Sequence, residues 1–391
     1  MSLSYRTAGE SHGPALLSLI EGVPAGLEVD LEFINGELRR RQGGYGRGGR
    51  QRIESDEVVV LSGVRRGRSM GSPIAFEIAN RDSRIDDLER TPPVHRPRPG
   101  HADLAGSVKW LTDDCRETLE RASARETAAR VAAGALARVF LRSFGIEVFG
   151  FVRSTLDVET SVEPTAANWR SLRTIRDASE VYCPDERASA QMIDRIQRMK
   201  VEKDTCGGLV EAHIFGCPIG LGSCMRWEDR LDARLGGAVM GIQAMKSVEI
   251  GLGRACAARP GSSVHDPISF DVAQRGAPHL GFVRATNNAG GLEGGMTNGM
   301  PVVVRAAMKP IATLGKGLPS VDLVSKQPVG SQYERSDVSA IAAASVVLEN
   351  VVGFEIARAF LDKFAGDTMP EARAAYDGYL EMARRLPLPG R

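Results

Sequence analysis

ETAARVAAGALARVFLRSFG, residues 126–145, is the clearest helix of this chain and the stretch that decides its fold. Six alanines from Ala128 to Ala137 give the helix a surface of small side chains. Gly145 is placed to end it. Small side chains allow neighbouring backbones to approach closely. We therefore expect this helix to lie in the interior of the protein.

Helices and strands alternate irregularly on both sides of this helix. Hydrophobic spacing predicts further helices at residues 31–41, 185–199, 231–245, 339–364 and 370–386, the last of them on the surface. Apolar or alternating runs predict strands at residues 15–21, 58–61, 74–78, 146–152, 208–215 and 301–307, and residues 81–99 predict a loop. No linker or repeat interrupts the chain. This mixture favours an α+β layered fold with antiparallel sheet and a single domain.

The composition is that of an ordinary soluble globular protein. The chain has 391 residues, a formal net charge of +1, 42% hydrophobic residues and 25% charged residues. Its six cysteines lack C-x-x-C spacing, so we expect free buried thiols in a reducing cytoplasm. The N-terminus lacks the apolar core of a signal peptide, and no run of about 18 apolar residues is present. These features predict a cytoplasmic protein without a membrane partner.

Positive charge is concentrated in the Arg/Gly segment, residues 39–52, RRRQGGYGRGGRQR. It holds six arginines, five glycines and no acid. Arginine binds carboxylate and phosphate oxygens two at a time, and glycine allows close backbone approach. We expect a clamp for a multiply charged anion, mobile when empty because six like charges without counter-ions repel one another. RNA binding is an alternative, but the single aromatic residue and the neutral chain argue against a nucleic-acid partner.

Two loop segments contain histidines suited to proton transfer. His12 lies in GESHGP, residues 9–14, and His101 lies in RPRPGHAD, residues 96–103. Glycine and proline place both side chains in loops, where a group that titrates near neutral pH can donate or accept a proton. Arg98 could meet the same anion as His101. The alternative, an exposed loop histidine without function, is equally compatible with either segment alone.

Three further segments indicate binding or catalysis. Ser123 and Glu126 have capping-box spacing at a helix start, which is also a place where anions bind. The Gly- and Asn-rich residues 284–299 predict an irregular backbone able to hydrogen-bond a heterocycle, or else a long turn between strands. The spacing of Asp337 favours a helix N-cap, although an aspartate among arginines could also accept a proton. Dinucleotide, P-loop and metal-ligand spacings are absent from the sequence.

In this order, the segments resemble those of the chorismate synthase family. The matching stretches are residues 9–13, 39–52, 98–103, 121–127, 287–299, 309–313 and 335–337, and the resemblance is weakest over residues 154–203. It implies a β-α-β sandwich with helices between antiparallel sheets, one domain over residues 1–391 and a homotetramer. It also implies a carbon–oxygen lyase that eliminates phosphate from 5-enolpyruvylshikimate 3-phosphate to give chorismate, the last common step of the shikimate pathway to aromatic amino acids.

The resemblance implies reduced FMN as cofactor and five catalytic residues. His12 corresponds to the histidine that protonates the departing phosphate, and His101 to the one that protonates the reduced flavin. Asp337 corresponds to the aspartate that assists proton removal through flavin N5. Ser11 and Ser123 correspond to serines that relay protons. The sequence has no nicotinamide fingerprint, so we expect an external reductase, with NADPH left open as an indirect reductant.

The resemblance also implies two sets of binding residues and no metal site. The positions that correspond to substrate-binding arginines are Arg41, Arg47, Arg50, Arg98 and Arg125. The positions that correspond to FMN-binding residues are Arg121, Ala122, Ser123, Gln243, Ala244, Gly294, Lys309, Pro310, Ile311, Ala312, Thr313 and Arg335. The chain departs from the family at Ala122, Ala312 and Val338, where serine, proline and proline are common. A flavin-free phosphatase or phosphate lyase that uses the same anion site is the nearest alternative.

Overall fold

The computed structural model describes residues 2–49, 53–334 and 336–388. These residues form nine α-helices: α1 (Leu31–Gln42), α2 (Asp103–Trp110), α3 (Arg116–Ala122), α4 (Thr127–Arg142), α5 (Trp169–Ala178), α6 (Glu186–Val201), α7 (Leu231–Met240), α8 (Ile341–Lys363) and α9 (Met369–Arg384). The same residues form seventeen β-strands: β1 (Ser4–Ala8), β2 (Ala15–Glu21), β3 (Val59–Ser62), β4 (Val64–Arg65), β5 (Arg68–Ser69), β6 (Ile74–Ala79), β7 (Glu147–Thr155), β8 (Val158–Glu159), β9 (Gly208–Phe215), β10 (Met245–Ile250), β11 (Ile268–Phe270), β12 (Phe282–Arg284), β13 (Leu292–Glu293), β14 (Met296–Thr297), β15 (Val302–Met308), β16 (Pro319–Val321) and β17 (Pro328–Gly330).

Two antiparallel sheets enclose a layer of helices. The first sheet has the strand order β1-β2-β6-β3 and the second has the order β10-β15-β9-β7-β8. Helix α4 packs on β2 and β6 of the first sheet, α8 packs on β7 and β9 of the second, and the two helices pack along each other. The predicted α+β fold, a β-α-β sandwich with helices between antiparallel sheets, is confirmed.

The alternation of side chains in β2 directs the first sheet toward these helices. Leu16 and Ile20 are fully buried, whereas Leu17 and Leu19 are each 40% exposed. Successive side chains in a strand point to opposite faces, so one apolar face covers the helices and the other faces outward. One hydrophobic cluster contains residues of both sheets and of α1, α4, α7, α8 and α9. That residues 1–391 form a single domain stays a prediction.

The small residues of α4 allow it to lie close to α8. A Cβ atom placed on Gly134 would come within 2.3 Å of the backbone oxygen of Asn350. A contact this short is available only to glycine, because any side chain would force the two backbones apart. The predicted interior position of α4 is therefore confirmed, and the glycine is the residue that permits the closest approach.

An ion network is buried between the helices. Arg138 of α4 donates to Glu37 of α1 at 2.6 Å and to Glu349 of α8 at 2.7 Å. Arg40 and Arg176 donate to the same Glu349 carboxylate at 3.0 and 3.1 Å. Burial opposes ionisation, but the arginines hold the pKa values of both glutamates below their usual range. The network joins α1, α4, α5 and α8 at the centre of the fold.

One predicted helix is shorter in the structure. The helix predicted for residues 231–245 ends at Met240, because Gly241 caps it and Ala244, at φ 68°, turns the chain into β10. The predicted surface helix, α9, is confirmed, and it buries one face through Ala372, Tyr376 and Leu380.

The elements that sequence reasoning missed are short strands and the helices α2, α3 and α5. Helix α5 covers the outer face of the second sheet, where Trp169 packs with Phe149, Phe151 and Phe215. The expectation of buried free thiols holds for Cys115, Cys183, Cys206 and Cys217. It is wrong for Cys224, which is exposed, and for Cys256, which is partly exposed. None of the helices in the described ranges is long and apolar enough to cross a bilayer.

Candidate active site

The loop between β1 and β2 presents His12 and is fixed to helix α3. Gly9 begins the loop at φ 101°, where a Cβ atom would come within 2.3 Å of the backbone oxygen of Ala15. The Ser11 N–H donates to the Glu120 backbone oxygen at 2.9 Å. The His12 N–H donates to Glu120 Oε2 at 2.8 Å, and His12 Nδ1 lies 2.9 Å from Glu120 Oε1. Both predicted catalytic residues of this loop are therefore held by one glutamate.

Two predicted substrate-binding arginines share the buried Asp56 carboxylate. Arg125 donates to both Asp56 oxygens at 2.6 and 2.7 Å, and Arg41 donates to one of them at 3.2 Å. Arg41 also donates to the Thr127 hydroxyl at 2.9 Å. Burial lowers the pKa of Arg41 to about 10; Asp56 opposes this shift, while nearby Arg125 and Arg47 add to it. Positive charge is thus concentrated here.

The Arg98 loop forms a second cluster around Asp103 at the start of α2. Arg98 Nε donates to Asp103 at 2.8 Å, and His101 Nδ1 hydrogen-bonds the other oxygen of the same carboxylate. Arg98 also donates to the Thr313 hydroxyl at 3.0 Å, and Lys309 donates to the Gly100 backbone oxygen. The structure therefore brings His101 and Arg98 next to the predicted FMN-binding stretch 309–313.

Asp337 pairs with the Arg/Gly segment. Arg47 lies 2.8 Å from Asp337 Oδ2, and the Gly48 N–H donates to Oδ1 at 2.6 Å. The N-cap interpretation of Asp337 is wrong, because α8 begins four residues later, at Ile341, and Ala340 provides its N-cap position without a side-chain bond. The structure thus places a predicted catalytic carboxylate against a predicted substrate-binding arginine.

The Arg/Gly segment is neither one loop nor free of counter-ions. Its first residues form the last turn of α1, and Arg40 pairs with Glu37 and Glu349. The Tyr45 N–H donates to the Glu180 backbone oxygen at 2.7 Å, and a Cβ atom on Gly44 would lie 2.5 Å from the Ala342 side chain. The expectation of unpaired, mutually repelling arginines is therefore wrong for the described part of the segment. Its residues 50–52 lie outside the described residues.

The predicted FMN-binding positions are only partly brought together. The Lys309 N–H donates to the Ala244 backbone oxygen at 3.0 Å, while Gln243 donates to Glu126 at 2.9 Å. Arg121 donates to the backbone oxygens of Gly9 and Thr7. Ala122 ends α3, and Pro310, Ile311 and Ala312 continue the stretch from Lys309 to Thr313. Gly294 lies in the β13–β14 turn, apart from these contacts, and Arg335 lies outside the described residues.

The predicted capping box at Ser123 is also wrong. The Ser123 hydroxyl accepts from the Arg125 N–H at 3.3 Å and caps the short 3-10 turn Ala124–Glu126. Glu126 instead accepts from Thr7, Arg130 and Gln243. These bonds hold the pKa of Glu126 below its usual range although burial opposes ionisation. Glu126 therefore links the first strand to the loop before β10.

Contacts connect the three segments that hold the predicted catalytic residues His12, His101 and Asp337. Glu120, the partner of His12, lies 3.3 Å from Arg116, and Arg116 donates at 3.1 Å to Glu334, three residues before Asp337. The Cys206 N–H donates to the Val338 backbone oxygen at 3.0 Å, and the neighbouring Thr205 hydroxyl donates to the Ile311 oxygen at 2.7 Å. The His12, Asp337 and His101 segments thus border one region.

Sequence reasoning missed the acids that organise this region, Glu120, Asp56, Asp103 and Glu126. The signals available in advance were the i,i+4 spacings of Arg116 with Glu120 on α3 and of Glu126 with Arg130 at the start of α4. The partners of Asp56 lie far away in sequence, and those of Asp103 lie in a loop, so regular spacing could not identify them.

A separate cluster of Glu163, Glu211 and His213 has ligand atoms close enough to hold a metal ion. However, Glu211 already accepts from Arg153 at 2.5 Å and from Arg305 at 2.6 Å. Two arginine cations on the same carboxylate disfavour a metal cation, so we interpret the cluster as a charge network on the outer face of the second sheet. The expectation of no metal site stays a prediction.

Known proteins match the chain over nearly its whole length. The family model for chorismate synthase matches residues 3–361. A chorismate synthase of Geobacter metallireducens is 52% identical, over 98% of this chain and 99% of its own length. One of Desulforamulus reducens is 50% identical, over 98% of this chain and 100% of its own length. A solved structure described as the crystal structure of chorismate synthase is 38% identical, with a TM-score of 0.80 over 98% of this chain and 99% of that one. The chain belongs to the chorismate synthase family.

Proposed function

We propose that this protein is a carbon–oxygen lyase that eliminates phosphate from 5-enolpyruvylshikimate 3-phosphate to form chorismate, the last common step on the shikimate pathway to aromatic amino acids. The observation that carries the proposal is the single network that joins the segments of His12, His101 and Asp337. Proton donors, a carboxylate and several arginines then border one region. This set suits the removal of a phosphate and a proton from one small anion.

The arginines supply the charge that such a substrate requires. It carries two carboxylates and a phosphate, and the phosphate alone contributes about −1.5 to −2 charges. We assign Arg41, Arg47, Arg50, Arg98 and Arg125 to its binding. Arg41, Arg98 and Arg125 are buried and hold protein carboxylates, whereas the Arg47–Asp337 pair is more accessible, with side chains 10% and 18% exposed. Among the described members of this set, Arg47 is therefore the arginine that most readily exchanges its protein partner for a substrate oxygen.

Three of the proton-transfer roles fall on residues whose side chains already meet charged partners, His12, His101 and Asp337. His12 would protonate the departing phosphate, with Ser11 beside it in the same loop. Asp337 would receive a proton once Arg47 is drawn to the substrate. His101 would act as an acid from its position on Asp103. Ser123, at the 3-10 turn before α4, would relay protons.

The residues assigned to FMN have features that suit the cofactor. Gln243 Oε1 is buried without a hydrogen-bond partner among the described residues, so it can accept from a ligand. Burial and the neighbouring Lys246 lower the pKa of Lys309, and an anion bound here would reverse that effect. Gln243 and Lys309 would hold FMN together with the other assigned positions, which are Arg121, Ala122, Ser123, Ala244, Gly294, residues 310–313 and Arg335. Reduced FMN, when bound, supplies electron density to the substrate as phosphate leaves.

We extend the proposal to the assembly and the cell. Family resemblance supports a homotetramer in the cytoplasm. It also supports an external flavin reductase as the supplier of electrons, with NADPH as an indirect source. The exposed apolar side chains of Ile268, Phe270 and Phe282 on the β11–β12 hairpin are compatible with self-association. Light scattering of the purified protein tests the tetramer, which requires about four times the 42.0 kDa chain mass.

An anaerobic assay tests the proposed reaction. The purified protein is mixed with 5-enolpyruvylshikimate 3-phosphate, with and without chemically reduced FMN, and chorismate and phosphate are measured separately. We expect equal amounts of both products, and only with reduced FMN. Equal rates of chorismate formation without the flavin would contradict the cofactor assignment. Phosphate release without chorismate would instead favour the flavin-free phosphatase. Oxidised FMN is the matched control.

A further inference from the structure

The environment of His12 suggests a role for a residue outside the predicted site. Glu120 accepts from the His12 N–H with one oxygen, and His12 Nδ1 lies 2.9 and 3.0 Å from its two oxygens. The Glu120 side chain is 1% exposed, whereas that of His12 is 13% exposed. One buried carboxylate therefore fixes both the backbone and the ring of the histidine.

Glu120 is itself held in place. Arg116, one turn earlier on α3, lies 3.3 Å from Glu120 Oε1. The same guanidinium donates to the Pro92 backbone oxygen at 2.9 Å and to Glu334 at 3.1 Å. A carboxylate fixed on both sides cannot easily rotate, so it imposes one orientation on the imidazole ring.

Charged groups of both signs face the two ring nitrogens of His12. Glu120 faces Nδ1 from α3, while Asp82 and Arg84 face Nε2 from the loop after β6, at 3.7 and 3.5 Å. Arg116 stands behind Glu120. Burial opposes ionisation of Glu120, but the hydrogen bond and charge of His12 hold its pKa below the usual range. Glu120 is therefore a carboxylate at neutral pH, and it must accept its hydrogen bond from Nδ1–H.

We propose that Glu120 is a positioning residue that holds His12 with a proton on Nδ1, so that Nε2 is the ring nitrogen that transfers a proton to the departing phosphate. The inference rests on the proposed function. In the transfer, the Nε2–H bond breaks, an O–H bond forms on a phosphate oxygen, and the ring charge falls from +1 to 0. Nδ1–H stays bonded to Glu120 throughout. The ring takes a proton back from solvent before the next turnover.

Histidine NMR tests the inference without any assay of activity. The protein has six histidines, so ¹⁵N-histidine labelling gives a small set of signals, and His12→Gln identifies that of His12. We expect Glu120→Gln to lower the pH midpoint of His12 by about one unit or more, since an opposite charge at this distance shifts a pKa by roughly 1–3 units. The control is Glu117→Gln, the same change at an exposed position of α3. An unaltered His12 midpoint in Glu120→Gln would overturn the proposal.

Kinetics give a second readout. For Glu120→Gln we expect the alkaline limb of the kcat profile to move to lower pH by the same amount as the His12 midpoint, with KM little changed. At alkaline pH, kcat should then fall about tenfold for each pH unit of this shift. Glu120→Asp keeps the charge, so the pH midpoint of His12 in this variant should lie close to that of the wild type. This comparison remains available if Glu120→Gln folds poorly. Equal pH profiles of kcat in the wild type, Glu120→Gln and Glu120→Asp would contradict the positioning role of Glu120. If the wild type forms no chorismate, the proposed function fails, but the NMR midpoint still decides the role of Glu120.

Discussion

At the scale of single residues, buried acids decide how the predicted site residues are oriented. Asp103 is fully buried and accepts from the Arg98 N–H, from the Arg98 guanidinium and from His101. These bonds hold its pKa below the usual range, although burial opposes ionisation. Because Asp103 engages Nδ1 of His101, Nε2 is the ring nitrogen that remains for the proposed proton transfer.

Replacement of His101 tests this arrangement. His101→Ala should slow turnover by roughly 10²–10⁴-fold, as expected for loss of a general acid. Stability should change little, because Arg98 continues to neutralise Asp103. Steady-state kinetics with reduced FMN, together with a thermal melt, measure both effects. His265→Ala, at an exposed histidine outside the site, is the control. Turnover equal to that of the control would remove His101 from the mechanism.

The sequence could identify the reactive residue types but not their partners. His12, His101 and Asp337 stood out because glycine, proline or arginine surrounds them in the chain. Asp56 has no comparable signal, although it joins Arg41 and Arg125. Its selection over other acids depends on the tertiary fold, which brings the segment before β3 next to the 3-10 turn that precedes α4. The same reason explains why the N-cap interpretation of Asp337 was wrong.

At the scale of elements, the Arg/Gly segment is supported by a region that the resemblance covered poorly. The Tyr182 hydroxyl donates to the Arg40 backbone oxygen at 2.8 Å, and the Tyr45 hydroxyl donates to Gln197 at 2.9 Å. Residues 154–203 therefore form one wall of the segment and include α5 and α6. Gly44 of the segment serves packing against α8, because a Cβ atom there would lie 2.5 Å from the Ala342 side chain.

The pairing of Arg47 with Asp337 predicts opposite effects of two substitutions. Arg47→Ala should weaken substrate binding by about ten- to a hundredfold, since a hydrogen bond to a charged group contributes about 1.5–3 kcal/mol. Asp337→Asn should leave binding equal or tighter while turnover falls, because the carboxylate that competes for Arg47 is gone. Equilibrium binding of the substrate measures both effects.

The exposed Arg39 provides the control for the Arg47 experiment. Arg39→Ala removes the same charge from the same segment, and its effect on binding should be smaller. The Arg47 side chain is 10% exposed and that of Asp337 is 18% exposed, so we expect Arg47→Ala to lower the free energy of unfolding less than it weakens substrate binding. A large drop in the melting temperature of the empty Arg47→Ala enzyme would show instead that Arg47 is structural.

The contact between α4 and α8 predicts different effects of two glycine-to-alanine substitutions. Gly134→Ala should lower the free energy of unfolding by about 1–3 kcal/mol, because the new methyl group meets the Asn350 backbone. In Gly36→Ala of α1, the new methyl group meets only the end of the Arg39 side chain, at an ordinary contact distance of 3.8 Å, so this change should raise the free energy of unfolding by roughly 0.5–1 kcal/mol. Urea unfolding at one protein concentration measures both values. A neutral Gly134→Ala would mean that the two helices separate at little cost.

At the scale of the whole molecule, the layered fold follows from features that are visible in the sequence, but its centre does not. The small residues of α4 predicted an interior helix, and the strand patterns predicted antiparallel sheets. The ion network of Glu37, Glu349, Arg138 and Arg176 could not be predicted, because its members lie on four different helices. An apolar helix such as α8 gives no sign that one of its glutamates is fully buried and paired with three arginines.

This network predicts how stability depends on pH. The folded pKa of Glu349 lies below its unfolded value of about 4.3, so its ionised form stabilises the fold above that pH. That stabilisation is lost as the pH falls from about 4.3 toward the lower, folded pKa. Glu349→Gln should therefore cost about 3–5 kcal/mol near pH 7, because Arg40, Arg138 and Arg176 then hold an unbalanced buried charge. The difference from wild type should shrink below about pH 4.

Urea unfolding from pH 3 to pH 7, at one protein concentration so that any subunit assembly contributes equally, measures this difference. Glu202→Gln removes an exposed acid at the end of α6 and should follow the wild type in parallel. If the difference between wild type and Glu349→Gln stays the same throughout the pH range, Glu349 does not stabilise the fold through its charge. The network would then act by shape and hydrogen bonding alone. A difference that grows as the pH falls would mean that protonated Glu349 is the stabilising form, the opposite of what its three arginine partners require.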